Sequence, residues 1–270
     1  MPKTDLSKSR AVIFSCAGTR LSSEEKRFFR EEKPFGFILF ARNVDNPDQL
    51  RGLIQELRLS VEDEDAPVLV DQEGGRVQRL RPPHWFKAPS FGQIGALYEA
   101  SPEKARRAAE LSSRLIAKDL VKSGFNVNCS PCLDMMRAET SEVVGDRSFG
   151  SKAEIIVDLA SVVARTYMEC GIMPVIKHMP GHGRARVDSH HELPVVGASL
   201  AELEETDFQP FKALADLSWG MTAHIVFKDL DKTAPATQSA TVITEVIRGK
   251  IGFDGLLLTD DLNMNACKGT

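Results

Sequence analysis

Side chains able to do ionic or acid–base chemistry gather in a few short runs of this chain, each just after a short apolar stretch. Asp71-Gln72-Glu73-Gly74-Gly75-Arg76-Val77-Gln78-Arg79 follows one such stretch. Asp134, and then Gly145-Asp146-Arg147-Ser148-Phe149-Gly150, follow another. Lys177-His178-Met179-Pro180-Gly181-His182-Gly183 comes after a third and runs on to Asp188-Ser189-His190-His191. His224 and the pair Asp260-Asp261 follow two more. A lone Asp after a strand ordinarily caps a helix or a turn. Five strands in succession that end in charge are different, because so many buried charges are costly without a ligand. A polar substrate held by many hydrogen bonds is the simpler account.

Other chemistries fit less well. Zinc hydrolases of barrel type use a His-x-His after the first strand. Here that strand ends in Ser15-Cys16-Ala17-Gly18. Pro180 and Gly181 keep His178 and His182 from sharing a helix face. No catalytic metal and no cofactor is expected. Gly181-His182-Gly183 and Gly74-Gly75 lack the spacing of a P-loop, and no G-x-G-x-x-G follows the first strand. Cys129-Ser130-Pro131-Cys132 has no second ligand pair and reads as buried thiols.

The elements that must position these groups alternate. Short apolar strands are expected at Ala11–Cys16, Phe35–Phe40, Pro67–Asp71, Phe125–Cys129, Met173–Lys177, Gly220–Ile225 and Gly255–Thr259. Helices fall between them. Ser22 with Glu25, Ser151 with Glu154 and Ser199 with Glu202 have the spacing of capping boxes. Asn46-Pro47 opens a helix with Leu50, Leu53, Ile54 and Leu57 on one face. Ser101-Pro102 opens the longest helix, whose inner stripe is read as Leu111, Leu115, Ile116 and Leu120 and which Gly124 ends. Another helix covers Thr241–Lys250. Arg81–Tyr98 is the longest irregular stretch. The alternation implies a parallel sheet, either doubly wound or closed into a barrel. Polar groups contributed by five different strands favour the barrel, in which all of them share the C-terminal rim.

Composition agrees with one globular α/β domain. The chain has 270 residues, 42% hydrophobic and 27% charged, with a net charge of −4. That content opposes disorder, and the charge argues against nucleic acid as a partner. No apolar run approaches the ~18 residues of a membrane span, and the N-terminus lacks a signal-peptide pattern. Five scattered cysteines suit a reducing cytoplasm better than a disulfide framework.

Together the motifs resemble glycoside hydrolase family 3, specifically its bacterial β-N-acetylglucosaminidases of peptidoglycan recycling. The resemblance rests on six runs in family order. They are Asp71 to Arg79, Asp146-Arg147-Ser148-Phe149-Gly150, Lys177 to Gly183, Asp188-Ser189-His190, Met221-Thr222-Ala223-His224 and Thr259-Asp260-Asp261-Leu262-Asn263-Met264. The resemblance implies that Asp260 is the nucleophile and that His190, oriented by Asp188, is the acid/base. It implies that Asp71, Arg79, Arg147, Lys177 and His178 bind the sugar. A retaining glycosidase needs an attacking carboxylate and a proton donor, and a histidine can supply the proton near neutral pH. Two departures stand out: Met179 replaces the family's usual Phe, and Arg184-Ala185-Arg186 varies a stretch that is often acidic or polar, where two arginines would either suit an anionic leaving group or form a plain solvated loop.

The implied activity is exo-hydrolysis of terminal N-acetylglucosamine from muropeptide fragments, by a cytoplasmic monomer or weak homodimer without membrane contact. A phosphorylase using the same residues and a non-catalytic sugar-binding remnant remain open as alternatives. The loop Arg184–His191 is expected to move, leaving His190 far from Asp260 when no ligand is bound. The expected fold is a single (β/α)8 TIM-type barrel over residues 1–270. The seventh strand ends near Asp260, so either the eighth βα unit is missing through C-terminal truncation or the barrel closes in an unusual way. An open barrel would expose strand edges, and lower stability or completion by a partner is the expectation.

Overall fold

The computed structural model describes residues 9–137, 140–141, 144–185, 187 and 193–264. Strand β1 (Arg10–Phe14) leads through α1 (Ser23–Glu32) to β2 (Pro34–Leu39), and α2 (Pro47–Ser60) leads to β3 (Val68–Val70). A hairpin of β4 (Gln72–Gly74) and β5 (Val77–Gln78) follows, then α3 (Phe91–Ala100), α4 (Pro102–Ser123) and β6 (Val127–Asn128). Helix α5 (Ala153–Glu169) precedes β7 (Met173–Pro174) and β8 (Ile176–Met179), two parts of one strand interrupted at Val175. After β9 (Val195–Val196), α6 (Leu200–Glu205) and α7 (Gln209–Ala213) come β10 (Trp219–Thr222) and β11 (Val226–Phe227). Helix α8 (Val242–Ile251), wound with π-type bonding, leads to β12 (Leu256–Leu258).

All seven expected strands are present, and they pair in parallel in chain order. One sheet runs β1-β2-β3-β6-β7 and the other β8-β10-β12, with β7 and β8 joining them through one strand. Phe35 on β2 and Trp219 on β10 are not sheet neighbours, yet their rings meet at 5.7 Å. The array therefore curls back on itself as a barrel wall does. Its inner face carries one apolar cluster with members from every strand. Ile38, Leu69, Val127 and Met173 form a cross-strand row, and Met221 pairs with Leu258. A second, larger cluster lies between the strands and the surrounding helices. Among the described residues, no pairing joins β1 to β12.

Local signals account for most helix starts. Ser22–Glu25 and Ser199–Glu202 close as capping boxes, Asn46 caps α2, and Ser101 caps α4. Three expectations are corrected. Helix α5 begins at Ala153 with Lys152 as an uncapped N-terminus, one residue too late for Ser151 and Glu154 to form a box. On α4, Leu111 and Leu115 are 44% and 41% exposed, while Ala105, Ala109, Ser112, Ser113, Ile116, Ala117 and Leu120 face inward. That helix is wedged between α3 and α5, so close backbone approach selects small inner residues. The stretch Arg81–Tyr98 is irregular only to Ser90, where a capping box with Gln93 opens α3.

Helix α3 has a positioning task. Phe91 stacks on Phe149 at 4.4 Å, and a Cβ on Gly95 would collide with the Phe149 carbonyl oxygen. This close approach seats the segment that carries Arg147. We expect Gly95→Ala to cost about 1–3 kcal/mol through overpacking. Calorimetry should then show a Tm lower by about 2–4 °C per kcal/mol. An unchanged Tm would contradict the tight contact.

Candidate active site

The C-terminal ends of the strands converge on one buried ammonium group. Lys177, from β8, lies beside Met221 in the register and so points into the barrel mouth above the apolar cluster. Its Nζ is 2.9 Å from Asp71 Oδ1 and 2.7 Å from Glu73 Oε1. Arg79 Nη2 reaches the other Asp71 oxygen at 3.0 Å. Arg147 grips Glu73 with both ends of its fork, Nε to Oε2 at 3.0 Å and Nη2 to Oε1 at 2.9 Å. Burial alone would neutralise these groups. It is outweighed at Glu73 by Arg147 and Lys177, which hold the carboxyl at about 2. Against the same burial, Lys177 and Arg79 keep Asp71 well below the usual carboxylate range. Asp71 and Glu73 in turn raise Lys177 despite its burial.

A second network sits one strand over. Asp134, fully buried beyond the end of β6, takes His178 Nδ1–H at 2.7 Å and the Cys132 thiol at 3.2 Å on Oδ2. Its Oδ1 accepts the backbone N–H groups of His178 at 3.2 Å and His182 at 2.7 Å. These contacts fix the His178 ring, whose Nε2 faces Arg147 Nη2 at 3.4 Å and Asp260 Oδ2 at 3.9 Å. Burial lowers the His182 pKa to about 4, so that ring is neutral at pH 7. Cys132, Asp134 and His178 could bring ligand atoms together. Both donors are already committed to Asp134, and burial with the Asp134 charge pushes the thiol far up. The cluster is built as a hydrogen-bonded network.

Asp260 stands beyond the end of β12 with its side chain 24% exposed. Asp261 N–H donates to its Oδ1 at 2.8 Å. Desolvation opposes its charge, but His178, that backbone donor, His224 and Lys177 prevail and keep it below the ordinary carboxylate value. The mouth thus presents an ionised, partly open carboxylate beside a preformed set of cations and donors.

The loops around it are pinned by specific side chains. Asn128 exchanges bonds of 3.0 Å each with the Gln72 backbone N–H and carbonyl, and the Gln72 amide oxygen holds the Arg79 and Leu80 N–H groups. Gly74 has φ +109°, and a Cβ there would strike the Pro89 carbonyl, so the hairpin needs glycine. Arg76 bonds Asp146 at 2.9 Å, tying the hairpin to the Arg147 segment. Arg137 and Arg184 both reach Asp207, at 3.2 and 2.7 Å. Arg184 is therefore bound to the scaffold, which removes it as a ready anion contact for a leaving group.

Asp71, Arg79, Arg147, Lys177, His178 and Asp260 are all brought together. Asp188 and His190, with Arg186, Ser189, His191 and Glu192, lie outside the described residues. Glu73, Asp134 and His224 had no role assigned from the sequence. Glu73 could have been found as the carboxylate needed to balance Lys177 and Arg147. Asp134 carried only the weak signal of an acid after an apolar run.

These buried ion pairs set an acid limit to stability. Glu73 binds its proton near 4.5 when unfolded but only at about 2 when folded. Its contribution is complete above ~4.5 and is lost as pH falls toward ~2. His182 adds an earlier decline, from ~6.5 down to ~4, because the unfolded ring protonates first. A pH series of thermal melts should show this fall, with a shallower limb below pH ~4.5 in Glu73→Gln. At pH 7, Lys177→Met should cost about 3–5 kcal/mol by taking the shared ammonium from two buried carboxylates, each left with one arginine. A wild-type Tm that is flat from pH 7 to 3 would contradict both assignments.

Comparison with known proteins agrees with this geometry. The family model for the glycosyl hydrolase family 3 N terminal domain matches residues 8–269. A beta-hexosaminidase from Alkalilimnicola ehrlichii is 39% identical over 257 residues, covering 94% of this chain and 73% of that protein. NagZ from Neisseria gonorrhoeae, solved in complex with N-trifluoroacetyl-D-glucosamine, superposes with a TM-score of 0.88 at 33% identity, over 94% of this chain and 75% of that one. The family 3 β-N-acetylglucosaminidase from Paenibacillus gives 0.86 at 31% identity; the match covers 94% of this chain and 48% of that longer protein. Sheet order, site and family model converge: the chain belongs to glycosyl hydrolase family 3, as its TIM-barrel-like N-terminal domain.

Proposed function

We propose that this protein is a retaining exo-β-N-acetylglucosaminidase acting on N-acetylglucosamine-terminated muropeptide fragments. The observation that carries the reading is the placement of Asp260. An ionised, partly exposed carboxylate stands at a strand end, 3.9 Å from His178 Nε2 and across from the Lys177 cluster. A retaining glycosidase requires such a group to attack the anomeric carbon. The names of the similar proteins, beta-hexosaminidase and β-N-acetylglucosaminidase, support the same chemistry for the sugar.

In this reading a terminal sugar sits in the mouth and its hydroxyl groups bond Asp71, Arg79, Arg147, Lys177 and His178. Asp260 forms a bond to the anomeric carbon while the bond to the leaving oxygen breaks. His190, oriented by Asp188, gives that oxygen its proton. Water then attacks the glycosyl-aspartate, His190 takes back a proton, and the sugar leaves with its configuration retained. The ion pairs among Asp71, Glu73, Lys177, Arg79 and Arg147 pre-pay the cost of ordering the binding groups. A cytoplasmic location belongs to the proposal and is supported by four free thiols among the described residues.

The test is hydrolysis of 4-nitrophenyl N-acetyl-β-D-glucosaminide and of an anhydromuropeptide. We expect turnover of both by the wild type. Asp260→Ala should lose at least about a thousandfold in kcat. His190→Ala should lose about a hundredfold or more, with the greater loss on the poorer leaving group. Unimpaired Asp260→Ala would end the nucleophile assignment, and turnover of the chromogenic substrate alone would end the muropeptide assignment.

A further inference from the structure

We propose that His224 is a positioning residue for the nucleophile, anchoring the backbone at Asp261 so that the Asp260 carboxylate stays aimed into the barrel mouth. The proposal rests on the glycosidase reading above and concerns a residue that does not touch the sugar in that reading. His224 is buried just past β10, at 1% exposure. Its Nε2 lies 3.1 Å from the Asp261 carbonyl oxygen. A carbonyl can only accept, so Nε2 carries the proton and donates it. Nδ1 lies 2.8 Å from the Thr237 hydroxyl, which itself donates to the Ala223 carbonyl oxygen at 3.0 Å. Thr237 is met in turn by the Thr222 hydroxyl at 2.8 Å, which also lies 3.3 Å from the Leu258 carbonyl on β12. The ring is held at both nitrogens and spans from β10 to the segment that follows β12.

That segment needs such an anchor. Strand β12 pairs only with β10 among the described residues and ends at Leu258. The chain that carries Asp260 therefore leaves the sheet ladder just before the reactive carboxylate. His224 holds residue 261 by its carbonyl, and the N–H of the same residue donates to Asp260 Oδ1 at 2.8 Å. Fixing one end of a residue restricts the direction of the other. Asp260 is then oriented from two sides, by His224 through Asp261 and by His178 near Oδ2. The other titratable groups facing Asp260 are Lys177 and His182 from the β8 end and Cys129 from the β6 end, with Arg147 beside His178. None of these supplies the contact to the Asp261 carbonyl.

The experiment compares wild type, His224→Gln and His224→Leu on 4-nitrophenyl N-acetyl-β-D-glucosaminide across pH. Glutamine keeps an amide donor at the reach of Nε2, whereas leucine removes it. We expect His224→Leu to lose about tenfold in kcat with KM within about twofold. The acid limb of its kcat/KM profile should move up by about half to one pH unit, because a carboxylate without its fixed donor ionises at higher pH. His224→Gln should recover most of both. A limb and kcat unchanged in His224→Leu, or Gln as impaired as Leu, would overturn the proposal. Should the Leu variant not fold, Thr237→Val, which frees the ring, is expected to move the limb in the same direction, and an unmoved limb overturns the proposal. Carbon-13 NMR titration of labelled Asp side chains reads the same shift at Asp260 without turnover. An inactive wild type would therefore count against the glycosidase reading, while the NMR shift still decides the role of His224.

Discussion

The barrel mouth is organised around a charge that cannot be solvated by water. Lys177 is 2% exposed and lies above an apolar interior, so its ammonium must be compensated by protein groups. Asp71 and Glu73, both on the chain just after β3, provide that compensation from two directions. Glu73 then needs Arg147, and Asp71 needs Arg79, to complete their own bonding. Asp71, Glu73 and Arg79 share the hairpin after β3 and Arg147 lies on the loop after β6, so satisfying one buried cation draws two loops to the end of β8. Removing any one member would leave its neighbours with too little compensating charge in a buried site, a costlier state than never having had the pair.

This constraint explains how a chain of short strands supports a site of defined shape. The strands contribute only two to six residues each. Their ladders fix where loops begin, not where side chains end up. Positioning comes from buried polar groups that hold several partners at once: Asn128 and Gln72 exchanging backbone bonds, Asp134 collecting four donors, and Asp207 receiving two arginines. Such groups resist displacement because any movement strands a buried donor or acceptor. Donors already oriented at the mouth need little reorganisation when charge develops in a bound sugar, which is the usual source of catalytic advantage in such sites.

Much of the framework was legible locally. Strand positions followed from short apolar runs, and four helix starts followed from capping residues whose hydrogen bonds span three positions or fewer. The errors share a cause. Leu111 and Leu115 looked like an inner stripe, yet α4 turns a face of Ala and Ser toward its neighbours because α3 and α5 approach it closely. Ser151 had the right spacing to Glu154, yet the helix starts one residue later. Which face is buried and where a helix begins both depend on neighbours distant in the chain.

The site divides along the same line. Residue types and order alone determined that charged groups follow successive strands, and the parallel alternation determined that they share one rim. That was enough to gather the charged runs at one rim, because strand direction is set by short-range connectivity; that Asp71, Arg79, Arg147, Lys177, His178 and Asp260 are the working members came from the resemblance to family 3. The pairings were decided only in three dimensions: Glu73 between Arg147 and Lys177, Asp134 behind His178, and His224 beneath Asp261. These contacts span from 37 to more than a hundred positions in the chain. Their partners are selected by the need to satisfy each buried charge and donor, and that need arises only once the barrel has excluded water from the mouth.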